Sequence, residues 1–375
     1  MEEIELCPRC GIPSLIGREL RWGDNGVIAV ADSPQNRMVL FESNVIDKIF
    51  TGMEEMLGRP VRPMVIESRR RETRRFIERS FPFEVRNTLL IGDTGTGTGA
   101  SPFTKVISGA LRRLRKELSQ RVVGVGKVFG YGDIVLSEGW DGEDEHPWRS
   151  FVIRRPYSLT LWMADVLGTV EAFEGMDMRV ESERVGDDAY LVRVRPGAHE
   201  LELAGKLRRR RYRFKPGGIE FERCPGCGVP VDISCYRWDL GEGTITAADT
   251  SRRVAVLGSQ AIDAVFWDLE EEYGLEVFEA AVEAHRVFVK SRVSREMVSG
   301  LARSLPTLTA LRGLGYVTRL EGGGGGVEIT IRNACLPYLL VGMAKGLYEL
   351  LAGAKSSRHR WDFTEDGDLR LAVYA

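Results

Sequence analysis

Apolar and polar positions along the chain follow two spacings, and their order predicts mixed secondary structure. Short runs such as Val27-Ile-Ala-Val30 and Thr244-Ile-Thr246 read as strands. Longer stretches with apolar residues at helical spacing cover 43–57 and again 259–273, the second ending near Gly274. A further helix is expected through Val106 to Leu118, with a counterpart near Arg295 to Leu305. Strands follow around Gly130-x-Gly132 and Gly313-x-Gly315, then a helix at 158–173 or 336–352, then a closing strand. Helices mixed in this way with largely antiparallel strands indicate the α+β class rather than a doubly wound sheet.

The pattern occurs twice because the chain repeats itself. Cys7-Pro-Arg-Cys10-Gly11-Ile-Pro13 returns as Cys224-Pro-Gly-Cys227-Gly228-Val-Pro230, 217 residues later. Arg21-Trp22 returns as Arg237-Trp238, and Val45-Ile46-Asp47-Lys-Ile-Phe50 as Ala261-Ile262-Asp263-Ala-Val-Phe266, both 216 residues later. Ser108-Gly109 matches Ser299-Gly300 at 191, the Gly-x-Gly turns match at 183, and Met163-Ala164 matches Met343-Ala344 at 180. The matches keep their order while the offset only falls, as expected of two copies of which the first has gained insertions. The copies are placed at 1–205 and 218–375, joined by a basic connector at 206–217, and two homologous lobes related by a pseudo-two-fold axis are expected.

Composition narrows the class. A chain of 375 residues with 43% hydrophobic content has ample material for buried cores, and a net charge of −2 excludes a globally cationic nucleic-acid coat. The apolar run Leu336 to Ala344 ends at Lys345, far short of the roughly 20 residues that span a bilayer, so no membrane span is expected. The acidic start Met-Glu-Glu-Ile-Glu lacks the features of a signal peptide, and a cytoplasmic location is expected. Asn (5) and Gln (3) are scarce while Arg and Glu are plentiful, a composition that fits a thermophilic source.

The cysteine pairs are the sharpest chemical signal. A Cys-x-x-Cys-Gly turn aims two thiolates at one point and supplies half of a tetrahedral zinc site. Pairing of the copies would bring Cys7, Cys10, Cys224 and Cys227 together as one structural Zn(2+) site. A redox dithiol in each copy, cysteine pairs without metal, and knuckles paired between chains are the competing readings. Cys235 and Cys335 have no counterparts in the first copy and read as small buried apolar side chains, with Cys235 a substitute ligand at most.

Other features carry weaker chemistry. The stretch Gly92 to Ser101 follows the apolar run Thr88 to Ile91 and precedes a helix, so Gly95, Gly97, Gly99 and Ser101 could cradle a phosphate, although the loop lacks a P-loop ending and reads equally as a surface excursion. The connector holds Arg208, Arg209, Arg210, Arg211, Tyr212 and Arg213, a basic run with interleaved aromatics that suits nucleic acid or, in the bland reading, a charged strand. The four histidines are scattered, and no Ser-His-Asp, paired-carboxylate or His-x-x-x-His spacing occurs.

The last third of each copy resembles a known family. Gly313-Leu-Gly315, the strand Val327 to Ile331, the helix Leu336 to Gly353 and the closing strand Leu369 to Tyr374 look like the 4-vinyl reductase domain, and Arg154 to Arg195 repeats them more loosely. The resemblance implies an α+β module that binds small molecules or hydrocarbons, often paired, with archaeal members acting as sensors or regulators. It does not imply catalysis. The cysteine cluster that many members carry near the closing strand is absent from Lys355 to Asp368.

Three functions follow in order of preference. The first is a non-catalytic small-molecule-binding or regulatory protein, an internal pseudo-dimer stapled by zinc, whose partner is a small apolar or cofactor-like ligand. The second is a nucleic-acid or ribonucleoprotein accessory factor using the knuckles and the connector, and the third an enzyme using the Gly92–Ser101 loop.

Overall fold

The computed structural model describes residues 4–81, 86, 102–136, 146–199, 201, 203, 213–301, 304–323 and 325–375. In chain order the elements are α1 (Ser14–Glu19), β1 (Leu20–Trp22), β2 (Ile28–Val30), β3 (Ser33–Glu42), α2 (Ser43–Leu57), α3 (Arg62–Ser80), α4 (Pro102–Val128), β4 (Asp133–Leu136), β5 (Ser150–Arg154), α5 (Leu159–Glu174), β6 (Met178–Gly186) and β7 (Ala189–Pro196). They continue with β8 (Tyr236–Asp239), β9 (Thr244–Ala247), β10 (Arg253–Gly258), α6 (Ser259–Tyr273), α7 (Glu276–Arg292), α8 (Arg295–Leu301), α9 (Leu305–Leu311), β11 (Tyr316–Gly323), β12 (Gly326–Arg332), α10 (Pro337–Ala352), β13 (Arg358–Phe363) and β14 (Leu369–Tyr374). The strands pair antiparallel and the sheets are mixed with helices, so the protein is α+β.

Two compact units divide the chain, and their composition cuts across the sequence copies. One holds Met1–Ile4, Pro63–Leu207 and Trp238–Ile245; the other holds Glu5–Arg62, Arg208–Arg237 and Thr246–Ala375.

In the first unit a sheet runs β4-β5-β7-β6. Alternate residues Phe151 and Ile153 of β5, and Val192 and Val194 of β7, turn into the core. Helix α5 covers this face with Leu167 and Val170, which pack against Met178 and Val194 together with Ile66 of α3. The Ser158 hydroxyl caps α5 by accepting the Leu161 amide at 3.2 Å, and Gly175, with φ 71°, closes its other end in the left-handed conformation.

The second unit contains a sheet of the same strand pattern, β11-β12-β14-β13, with Ile329, Ile331, Leu369, Leu371 and Val373 buried. Helix α10 crosses α7 very closely. A Cβ at Gly342 would stand 2.5 Å from the Val282 carbonyl oxygen, and one at Gly346 would stand 2.8 Å from the Val289 Cβ, so hydrogen is what lets the two helices approach.

A six-stranded sheet runs β1-β2-β3-β10-β9-β8, and its central pair, β3 and β10, lies in the second unit. Residues 254–257 of β10 are all buried, and Leu40 stands opposite Val256, with Val39 opposite Leu257 and Phe41 opposite Ala255. Helices α2 and α6 leave directly from the ends of these strands, over the ranges that the sequence predicts.

Three features depart from the sequence reading. Helix α3 is unanticipated, because Glu67, Ser68, Arg70 and Glu72 are buried on it and interrupt its apolar stripe. Helix α4 runs well beyond the expected 106–118, and its counterpart is split into α8 and α9, where Pro306 stands in the first turn of α9 and offers no backbone donor for a continuous helix. Helices α5 and α10 end at Gly175 and Gly353, so they correspond at an offset of 178 and the dipeptide match at 180 is out of register. The Gly92–Ser101 loop and connector residues 206–212 lie outside the described residues.

Candidate metal centre

Each cysteine knuckle is built by its own backbone. In the first, the Cys7 amide donates to Ile12 O and the Gly11 amide to Cys7 O, both at 2.8 Å, while Leu6 bridges Pro13. In the second, the Cys224 amide donates to Val229 O at 2.8 Å and the Gly228 amide to Cys224 O at 2.9 Å, while Arg223 bridges Pro230. Gly11 and Gly228 take φ values of 71° and 75°, the left-handed turn that brings the second cysteine of each pair back towards the first.

The second unit brings both knuckles to one point. Cys7 Sγ lies 3.8 Å from Cys224 Sγ, Cys10 Sγ lies 3.5 Å from Cys227 Sγ, and all four sulfurs are within 4.8 Å of one another. A tetrahedral metal with metal–sulfur bonds of about 2.3 Å has sulfur–sulfur edges of about 3.8 Å, so the spacing fits a metal of that size. Gly226 occupies the place that Arg9 holds in the first knuckle, and a Cβ there would come within 2.9 Å of Cys7 Sγ.

The electrostatics agree with a cation site. Backbone amides of Arg9 and Cys10 hold the Cys7 thiol below its usual value, and those of Cys227 and Gly226 bring Cys224 down to about 6. Burial pushes Cys10 and Cys227 up. Four thiolates at this separation would repel strongly without a cation between them, and two of the four are prepared to ionise. All six cysteines are free of disulfides. Cys335 is buried, as the sequence suggested, but Cys235 is exposed and stands outside the cluster, so it is no substitute ligand.

The second group of potential ligands is an ion-pair node. Glu171, fully buried on α5, lies 2.5 Å from Arg70, 3.6 Å from Arg74 and 2.5 Å from His199 Nε2, with Asp177 nearby. Two guanidinium groups already neutralise this carboxylate, which leaves no role for a metal cation. In the second unit Glu349 is its match, accepting from Arg286 and Lys290 at 2.6 Å each and from Ser357 at 2.8 Å. The signal was present in the sequence, since Arg286 and Lys290 follow Arg70 and Arg74 by 216 and Glu349 follows Glu171 by 178.

A polar cluster in the first unit has no such match. Asp165 accepts from Arg69 Nε at 2.7 Å, Arg69 Nη2 at 3.2 Å, the Thr73 hydroxyl at 2.7 Å and the Tyr157 hydroxyl at 3.2 Å. Burial, reinforced by Asp165, raises Tyr157 and Tyr131 far above neutral pH, so both phenols stay protonated, and Tyr157 serves Asp165 as a donor rather than a base.

Two further expectations meet the structure here. An apolar cavity in the second unit, lined by Phe41, Ile46, Ile49, Phe50, Ile262, Phe266 and Leu339, has a volume of about 10 Å³. Of the basic connector, Arg213 is exposed, Phe214 lies under the Arg37 guanidinium at 6.0 Å, and Lys215 is bound to Asp366 and Asp368 at 2.7 Å each. No helix among the described residues is long and apolar enough to cross a membrane. In comparison with known proteins, no family model, no curated protein and no solved structure matches this chain.

Proposed function

We propose that the protein is a non-catalytic regulatory or small-molecule-binding protein, an internal pseudo-dimer of two homologous copies clasped by one structural zinc ion on Cys7, Cys10, Cys224 and Cys227. The observation that carries the reading is that equivalent residues face each other. Cys7 meets Cys224 and Cys10 meets Cys227, at the repeat offset of 217. Leu40 pairs with Val256 and Phe50 packs on Phe266 at 6.3 Å, at the repeat offset of 216. A two-fold axis through paired copies produces this pattern, and unrelated halves have no reason to.

Zinc is favoured over a redox dithiol because four sulfurs from two knuckles gather within 4.8 Å of one another in a loop setting, where a redox pair would need only two. The resemblance to the 4-vinyl reductase domain, together with the shared strand pattern of the two four-stranded sheets, supports the reading of each copy's body as a small-molecule-binding module. The apolar cavity between α2, α6 and α10 is the place for an apolar ligand. At about 10 Å³ it has room for one water at most, so such a ligand would need the lining side chains to move apart.

Elemental analysis of the purified protein tests the clasp. One zinc per chain is expected, falling to none in a Cys7→Ser, Cys10→Ser variant, with a melting temperature lower by about 5 °C, the shift expected for about 4 kcal/mol lost in a protein of this size. Metal-free protein, or metal retained by the variant, would overturn the reading. Native mass spectrometry that finds a copurified apolar molecule supports the ligand-binding part.

A further inference from the structure

We propose that the two copies are assembled by reciprocal exchange, so that the opening segment of each copy is received by the body of the other. The inference rests on the paired-copy reading but not on the metal. It comes from hydrogen bonds that occur twice, in crossed form.

In the second unit the Trp22 indole Nε1 donates to Leu311 O at 2.8 Å. In the first, the Trp238 indole Nε1 donates to Val128 O at 3.0 Å. Trp238 is the repeat of Trp22 at 216, and Leu311 is the repeat of Val128 at 183. The same bond therefore joins the first copy's tryptophan to the second copy's helix end, and the second copy's tryptophan to the first copy's helix end.

A backbone pair repeats the crossing. The Gly315 amide donates to Gly26 O at 3.1 Å in the second unit, and the Gly132 amide donates to Gly243 O at 2.8 Å in the first. Gly243 follows Gly26 by 217 and Gly315 follows Gly132 by 183, so these too are equivalent bonds with partners exchanged. At Gly26 an added Cβ would collide with the Gly315 backbone, and at Gly243 with that of Gly132. Each contact is thus a fitted surface between backbones, closed to any side chain. Helix α2 of the first copy adds to it by packing on α7 of the second, with a Gly52 Cβ position 2.9 Å from Ala284 Cβ.

Two bonds of different chemistry, each made twice at matching offsets and each time across copies, mark a surface evolved for one partner, a second copy of the same domain. Trp22 and Leu311 are nearly inaccessible, so the surface is not available to another protein while it is filled. The duplication made permanent, in one chain, an assembly that a single copy could complete only with a sister chain.

The consequence is a crossed dependence that hydrogen exchange in the full chain can read. Trp22→Phe keeps an aromatic side chain but loses the indole N–H donor, and exchange at residues 305–317 is expected to rise at least threefold while 126–134 stays unchanged. Trp238→Phe is expected to do the reverse. If Trp22→Phe loosens 126–134, or if both variants loosen both turns alike, the exchange is overturned while the zinc clasp still stands. Metal-free protein with the crossed result would overturn the clasp and leave the exchange intact. Should a variant not fold, the unaltered chain answers by NMR. A nuclear Overhauser contact from the Trp22 indole proton to the amide of Arg312 supports the exchange, and one to the amide of Phe129 overturns it.

Discussion

His285 illustrates how a single titratable group is held on α7. Its ring is buried beside Phe41, and Nδ1 donates to Leu339 O at 2.7 Å, which fixes the tautomer. Burial lowers its pKa to about 4, with Glu42 opposing and Arg312 reinforcing the shift. The unfolded chain therefore binds a proton near pH 6.5 that the folded protein refuses until about pH 4. Stability contributed by the neutral ring is complete above pH 6.5 and is lost as pH falls towards 4, by about 3 kcal/mol over that window. Urea unfolding at pH 4.5 and 7 should record the slope, and His285→Gln should flatten it; an equal slope in the variant would show that other groups cause it. The histidine's role was not legible in the sequence, since it depends on α10 supplying the carbonyl. The cysteines were legible because their chemistry and spacing are local. The buried carboxylates Glu171 and Glu349 were hidden because their partners lie on other helices, α3 and α7, and on α3 the buried Glu67, Arg70 and Glu72 mask the apolar stripe.

At the scale of elements, the fit of α10 on α7 depends on two glycines placed four residues apart. In a free helix Gly342→Ala would stabilise by about 1 kcal/mol through propensity. Here the new methyl meets the Val282 carbonyl oxygen at 2.5 Å and the His285 Cβ at 2.8 Å, neither of which moves without shifting α7. Overpacking of this kind costs about 1–3 kcal/mol and should win, so Gly342→Ala is expected to lower the urea midpoint, whereas Gly124→Ala, on α4 with open space around it, is expected not to lower it. An unchanged midpoint in Gly342→Ala would mean that the helices separate freely. The helices at 43–57 and 259–273 were readable because one face is apolar throughout. The break between α8 and α9 was missed because a repeat offset describes where residues correspond, and not whether a proline interrupts the backbone between them.

At the scale of the molecule, the compact units do not coincide with the repeats, and this is what a linear reading could not supply. Strand pairing and exchange are non-local, so the alignment could identify the copies but not which segment docks on which body. The second unit is built from both copies: 5–62 of the first, and 218–237 and 246–375 of the second. Its central sheet joins them through β3 and β10 over five residue pairs, its metal centre takes two cysteines from each, and Trp22 and Gly26 are seated on the second copy's body. The covalent connector therefore adds little to their cohesion once the chain has folded. A protease site introduced within 206–212 and cut in the folded protein is expected to leave one particle of unchanged size on gel filtration. Chelation should raise hydrogen exchange in β3 and β10 yet leave the fragments together, because the strand pairing and the packing of α2 on α7 do not pass through the metal. Fragments that separate on cutting, with zinc present, would show that the connector rather than the shared sheet holds the copies together.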